Sequence, residues 1–453
     1  MDDRDELLKR IERLETLLAE RDARIAELEQ LLRKQGKTFR PRANRKPKDP
    51  PAVDRRTKTE RQHPGSFRPQ PKDEDVSEQH ECTLSQCPHC GSNEVTPTGV
   101  VEEHLVEDIP VPKVEVHRYR RHEYHCAGCQ KNSFGRGDLE LAGAHVGPRA
   151  RWLVGFARAD LGISLGKTCR LLDEWFGLRL SRAGALGHLK WASRLCAPVV
   201  QKLLELLRQE PVVHADETGW RINGKNVWAW CFANPRLAVF LIDEHRSTDV
   251  LKKALGDSLP GVLVSDFYAA YNGLACKKQR CLAHLLRELH ELSETLPRRY
   301  VTCHIRPWLK LIQDALALGK RREQLSARQF ARARRELDER FYTCAGSFTR
   351  NADCERITNR MLKHRADLFT FLDDPQVPPD NNLGERDIRS VVAARADGGV
   401  NRSSWGAQAF ARIKSVVRTC QKNGLRLVDY VMNLVRATLT KTDPPLPLAP
   451  ATG

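Results

Sequence analysis

The segment PVVHADETGWRINGKNVWAWCFANPRLAVFLIDE constrains the fold of this chain more than any other part of it. Its apolar stretches are broken at Asn223-Gly224 and Asn234-Pro235. Such pairs favour tight reversals, so the segment reads as three consecutive antiparallel strands. A helix through STDVLKKAL comes next, then the apolar run GVLVSD, which reads as a buried strand, then a helix beginning near Tyr268. Three strands, a helix and a fourth strand is the order of a ribonuclease H-like core, in which strands one and four are neighbours. The expected fold class is therefore multidomain α+β built on such a core.

Both neighbouring strands end on an acid: Asp216 in HADETGW and Asp266 in VLVSDFYAAY. A third acid, Glu385 in DNNLGERDIR, falls in the first turn of an expected helix. Carboxylates gathered at strand ends hold divalent cations for phosphoryl transfer, because hard magnesium prefers oxygen ligands. The expectation is an enzyme acting on nucleic acid. Glu385 has a structural rival role, since Asn382 three residues earlier could form a capping box with it. Against that, Ile388 and Val392 put Glu385 on the helix face that packs on the sheet. Glu217 and Asp387 are the nearest competitors for a metal role, and Glu217 should point away from Asp216 across the strand.

At 453 residues several modules are expected. A formal net charge of +17 suits a polyanionic partner. It also suits an anionic membrane surface, but no stretch approaches the roughly 18 apolar residues that a span needs. The opening MDDRDELLKR lacks the apolar segment of a secretory signal. A cytoplasmic protein with no membrane partner is expected. Fourteen cysteines are too dilute for a disulfide scaffold, so paired Cys-x-x-Cys motifs point to zinc.

Within residues 1–35, Leu7, Ile11, Leu14, Leu18, Ile25, Leu28 and Leu32 follow a three-four alternation broken at Arg21. A coiled coil forming a homodimer or higher oligomer is preferred over one helix lying on the chain's own body. Residues 36–79, rich in Pro, Lys and Arg, read as a disordered basic linker, either a tether along DNA phosphates or a solvated spacer. In 80–135, Cys87-Pro-His-Cys90 and Cys126-Ala-Gly-Cys129 flank alternating stretches such as VEVHRYRRHEYH, read as strands. Two such knuckles make a closed four-thiolate zinc ribbon, with His89, His122 and His125 as competing ligands and Cys82 spare. Arg118, Arg120 and Arg121 give the ribbon a basic face, for DNA or for solvent. Across 145–205, Ser164 can cap a helix through LGKTCRLLDEWF, Gly177 can end it, and Ser181 can cap a second through RAGALGHLKWASRL. As a helix-turn-helix this pair would present Arg182, His188 and Lys190 to a major groove. A helical pair that merely packs on the core is the equal alternative.

The blocks HADETGW, with the Gly-Lys and Trp residues after it, VSDFYAAY, CLAHLLREL and NNLGERDIR resemble those of insertion sequence 66 family transposases, within the DDE transposase superfamily. The order of zipper, zinc segment, helical segment and core is also similar, over nearly the whole chain. The resemblance implies that Asp216, Asp266 and Glu385 are the catalytic triad, holding two Mg2+ (or Mn2+) ions. It implies a helical insertion over 297–375 that divides the core into 206–296 and 376–440, with a tail over 441–453. It implies double-stranded DNA partners, element ends and target, for metal-dependent strand cleavage and strand transfer. Accessory proteins and association with a bacterial nucleoid belong to the same expectation. After the Glu385 helix many members carry Arg-Lys-Asn-Trp, whereas this chain has ARADGGVNRSSWGAQAF, which puts a substrate contact there in question.

Arg386, Arg389, Arg395, Arg402 and Lys414 are expected to hold phosphates near the metals, or else to be solvated charge. Cys281 and His284 form a Cys-x-x-His, half of a metal site. They are read instead as a packed Cys and a hydrogen-bonded His bracing the helix beside the active site. Two other classes stay open: a zinc-dependent DNA-binding regulator, which leaves the three acids unexplained, and a ribonuclease H-like nuclease without strand transfer.

Overall fold

The computed structural model describes residues 71–398 and 401–449. The expected coiled coil and most of the basic linker lie outside them. The chain divides into two compact units, with the division between Asp108 and Ile109. In the first, Cys87 and Cys90 stand on a turn closed by the Gly91 N–H to the Cys87 carbonyl (2.9 Å) and the Cys87 N–H to the Ser92 carbonyl (2.8 Å).

The second unit opens with an antiparallel hairpin of β1 (Glu123–Cys126) and β2 (Lys131–Phe134), whose turn holds the second cysteine pair. The strand read through VEVHRYRRHEYH is confined to its last residues. Val114 and Val116 upstream are exposed, and an alternating pattern with no layer to bury its apolar side does not enforce a ladder.

Helices α1 (Pro148–Ala159), α2 (Leu165–Phe176) and α3 (Arg182–Leu207) follow. The punctuation is that of the sequence: Ser164 Oγ accepts from the Lys167 N–H, Gly177 ends α2 at φ 67°, and Ser181 Oγ accepts from the Gly184 N–H. α3, however, runs on to Leu207, and Ala192, Leu195, Cys196, Val199, Val200, Leu203, Leu204 and Leu207 bury it in the same core as the sheet. It is a core helix along most of its length.

Strands β3 (Val212–Ile222), β4 (Lys225–Ala233) and β5 (Ala238–Asp243) form the expected antiparallel meander, with Asn223 and Gly224 both at positive φ in the first turn. This is the backbone a two-residue hairpin needs. α4 (Thr248–Leu255) leads to β6 (Ser258–Ser265), which pairs parallel with β3 through Val212↔Val262, Val213↔Leu263 and His214↔Val264. The helix expected near Tyr268 is a single 3-10 turn, Ala269–Gly273, followed by a fifth strand, β7 (Ala275–Arg280). That strand, ACKKQR, is polar and buries only Gln279 and Arg280. As an edge strand it carries little of the apolar pattern that marks a strand in sequence. The sheet order is β5-β4-β3-β6-β7, a mixed sheet.

α5 (Leu282–Thr295), α6 (Arg306–Lys320), α7 (Ala327–Ala345) and α8 (Ala352–Lys363) come next, then α9 (Asn382–Gly398), α10 (Ser404–Lys422) and α11 (Leu427–Thr440). Strand alternation sorts the two layers. Val213, Ala215 and Leu263 join α3, α9, α10 and α11 in one core, while Val212, Val262 and Val264 join α5 to α8 in another. Among the described residues no helix is long and apolar enough to cross a membrane.

Candidate active site

Asp216 lies on β3 after Val212 and His214, and Asp266 is the first residue beyond β6. The parallel register His214↔Val264 sets the two acids level with each other, although β3 does not end at Asp216 as expected but runs on to Ile222 in the hairpin with β4. Glu385 arrives on α9, whose buried stripe of Gly384, Asp387, Ile388, Val391 and Ala394 packs on β3 and β4. Glu385 stands beside that stripe with its side chain 14 % exposed. The capping box with Asn382 does not form. α9 begins at Asn382, whose N–H is taken by Asp380 Oδ1 at 3.0 Å, and the Glu385 carboxylate turns towards α5.

Asp216 feels the other two acids. Burial pushes the Asp216 carboxyl up to about 7, and the nearby charges of Glu217, Asp266 and Glu385 add to that rise. One oxygen of each aspartate is fixed locally: Asp216 Oδ1 accepts the Glu217 N–H (2.9 Å) and Asp266 Oδ1 the Tyr268 N–H (2.8 Å). The other oxygens remain for an external cation. The carboxylates of Asp216 and Asp266, short of positive charge, suit a hard divalent cation, whereas Glu385 is already faced by Arg287 and Arg389, and the oxygens of the three acids do not all lie within 4.8 Å of one another.

The competing acids are neutralised instead. Glu217 faces the other way, bound by Arg246 and by the Tyr271 hydroxyl, with Arg246 itself stacked over Trp228 and Tyr268. Asp387 is held by Arg418 (2.8 Å) and Lys422 (2.7 Å). Arg280, fully buried at the end of β7, donates to the Asp266 carbonyl (2.8 Å) and Ser265 Oγ (3.1 Å) and pairs with Asp367. Reading that stretch as helix hid this clamp. Its only signal was an arginine directly before CLAH.

Among the described residues, the His, Cys, Asp or Glu atoms that approach within 4.8 Å of one another as a trio belong to Cys281, His284 and Glu385. This group suits a metal poorly. Arg287 lies 3.4 Å from Glu385 Oε1 and Arg389 3.7 Å from Oε2, so two guanidinium charges already face the carboxylate. Cys281 Sγ accepts the Asn381 N–H at 3.2 Å, and burial pushes its thiol pKa up. His284 Nδ1 is shielded from water 3.4 Å from Glu385 Oε1, without the alignment of a hydrogen bond. The histidine thus stands in contact with Glu385, where a hydrogen-bonded brace was expected.

The cysteine knuckles fit zinc by their own geometry. The backbone N–H groups of His89 and Cys90 bond to Cys87 sulfur, and those of Cys129 and Gly128 to Cys126 sulfur, each lowering the thiol pKa. His125, a competing ligand in sequence, is engaged by Asn132 (2.8 Å) and Gln130 (3.2 Å).

The expected DNA contacts divide. Arg118, Arg120, Arg182, Arg386, Arg389 and Arg402 are exposed. Arg121 is exposed too and pairs with Glu140 at 3.6 Å. Lys190 lies over the Trp405 ring, Arg395 donates to the Gly219 carbonyl, and His188 is buried. Lys414 is tied to Asp160 at 2.6 Å and buried, so it joins α10 to the end of α1 and is withdrawn from phosphate.

Comparison with known proteins places this geometry. Residues 148–409, which carry all three acids, match the family model described as Transposase IS66 family. The chain belongs to that family. Residues 85–130 match the zinc-finger binding domain of transposase IS66, a stretch that includes all four knuckle cysteines. Relatives in Sinorhizobium fredii (strain NBRC 101917 / NGR234) include the uncharacterized protein y4jD, 25 % identical over 301 residues, which cover 58 % of each chain. The uncharacterized protein y4qI is 25 % identical over 292 residues, 56 % of this chain and 53 % of the relative. A third, y4hP, is 21 % identical over 378 residues, 75 % of this chain and 68 % of the relative. The chain thus spans a little over half the length of the first two.

Proposed function

We propose that this chain is a DNA transposase that binds the ends of an insertion sequence, cleaves DNA strands there and joins the freed 3′ ends to target DNA. The observation that carries this reading is the partly buried Asp216, raised to about 7 among Asp266 and Glu385, inside the stretch that matches the transposase family. The core is read as ribonuclease H-like, with the helices between α5 and α9 as its insertion. Asp216, Asp266 and Glu385 would hold two divalent cations, magnesium or manganese, which supply activation of the attacking oxygen and stabilisation of the leaving one.

The chain's own groups have defined tasks. Tyr268 and Arg280 fix the loop of Asp266, and the Glu217–Arg246–Tyr271 cluster fixes β3 on its far face. Arg287, Arg386 and Arg389 are exposed beside Glu385 and suited to DNA phosphate. Cys87, Cys90, Cys126 and Cys129 would take zinc as a structural ribbon, with Arg118 and Arg120 on its basic side. Oligomerisation through residues 1–35 completes the reading.

Incubating the protein with Mg2+ and labelled element ends tests it. Joined products are expected. Hydrolysis without joining would make the chain a nuclease, and binding without cleavage a regulator.

A further inference from the structure

Asn381 precedes α9 and is 1 % exposed. It makes four hydrogen bonds, two to β3, one to α9 and one to Cys281, which is bonded in turn to the end of β6. Its Nδ2 donates to the Ala215 carbonyl at 2.9 Å, the residue before Asp216. A carbonyl can only accept, so the amide oxygen must face His214, whose Nδ1 lies 2.9 Å away and therefore carries the proton. The Asn381 N–H donates to Cys281 Sγ at 3.2 Å, and the Cys281 N–H donates to the Ser265 carbonyl at 2.8 Å, the residue before Asp266. The Asn381 carbonyl accepts the Glu385 N–H at 3.0 Å.

We propose that Asn381 is a positioning residue that sets the spacing of Asp216, Asp266 and Glu385. One buried amide joins β3, the start of α5 and the start of α9, at the point where the chain returns from α5 to α8. Only asparagine offers a side-chain donor and acceptor at this reach, and aspartate would lose the bond to Ala215. Gly384 supports the assignment independently. A Cβ there would lie 2.7 Å from Asn381 Oδ1 and 3.0 Å from Nδ2, so the glycine is required for the amide to seat. It also explains Cys281, whose buried sulfur serves as the acceptor that passes the constraint to β6.

The proposal rests on reading the acids as metal ligands, and the test separates the two. Mn2+ alone is titrated into the full-length protein and into Asp216→Asn, Asn381→Ala, Gly384→Ala and the double variant, with free Mn2+ read by its electron paramagnetic resonance. Thermal unfolding and end binding are followed alongside. The expected result is loss of tight Mn2+ binding in Asp216→Asn and a weakening of about 10- to 100-fold in Asn381→Ala, the range for groups that orient metal ligands. DNA-end affinity should hold while the cleavage rate falls. Gly384→Ala should weaken Mn2+ binding in the wild-type background and have no further effect in Asn381→Ala, where the amide it strikes is gone. A lower melting temperature in Asn381→Ala with wild-type Mn2+ affinity would overturn the positioning role. Wild-type Mn2+ affinity in Asp216→Asn would overturn the reading of the site itself.

Discussion

Asp216 and Glu217 are adjacent on one strand and receive opposite treatment from the two layers. Glu217, across the strand, is met by Arg246 and Tyr271, and Asp387, on α9, by Arg418 and Lys422. Asp216 has no cation within ion-pair distance among the described residues, and its pKa climbs to about 7. Burying a carboxylate is costly unless it is paired. A fold that pairs its structural acids and leaves one partly buried acid uncompensated keeps that site for a cation from outside.

The largest effect expected from this contrast is on chemistry. Asp216→Asn should reduce strand cleavage and strand transfer to background while end binding persists, because binding energy comes mostly from phosphate contacts elsewhere. Retained cleavage would remove Asp216 from the site. Asp387→Ala should do the reverse. It strands Arg418 and Lys422 in a buried setting and should cost about 3–5 kcal/mol of stability in urea unfolding, with cleavage per folded molecule little changed.

The same contrast gives a pH dependence. Between 3.8 and about 7 the folded chain holds a proton on Asp216 that the unfolded chain has released. Stability therefore falls as pH rises through that window. Without added magnesium, Asp216→Asn should melt at a higher temperature than the native protein at pH 8 and at nearly the same temperature at pH 4. Equal melting at both would mean that the carboxylate carries no such strain. The smallest effect belongs to the ribbon's basic face. Arg118→Ala should weaken end binding slightly and reduce the salt dependence by roughly one phosphate contact. An unchanged salt slope would leave Arg118 to solvent.

Much of the first contrast was legible in sequence, because strand alternation alone sends Asp216 and Glu217 to opposite sides. The hairpin at Asn223-Gly224 and the caps at Ser164, Gly177 and Ser181 were equally plain, since each is dictated by local backbone chemistry. β7 was not, because a polar edge strand lacks an apolar period. Asn381 escaped notice because its neighbour Asn382 offered a familiar capping pattern with Glu385. Only the fold reveals that Asn381 turns its amide into the sheet. Lys414 looked like a phosphate ligand, and no local signal announces that Asp160 far upstream claims it.

The central claim is that Asp216, Asp266 and Glu385 share divalent cations. Anomalous diffraction from crystals of the full-length protein with element-end DNA and Mn2+ tests it most directly. The account predicts manganese peaks within about 2.0–2.6 Å of carboxylate oxygens of Asp216, Asp266 and Glu385. Peaks confined to Cys281 and His284, or no peak near Asp216, would contradict it.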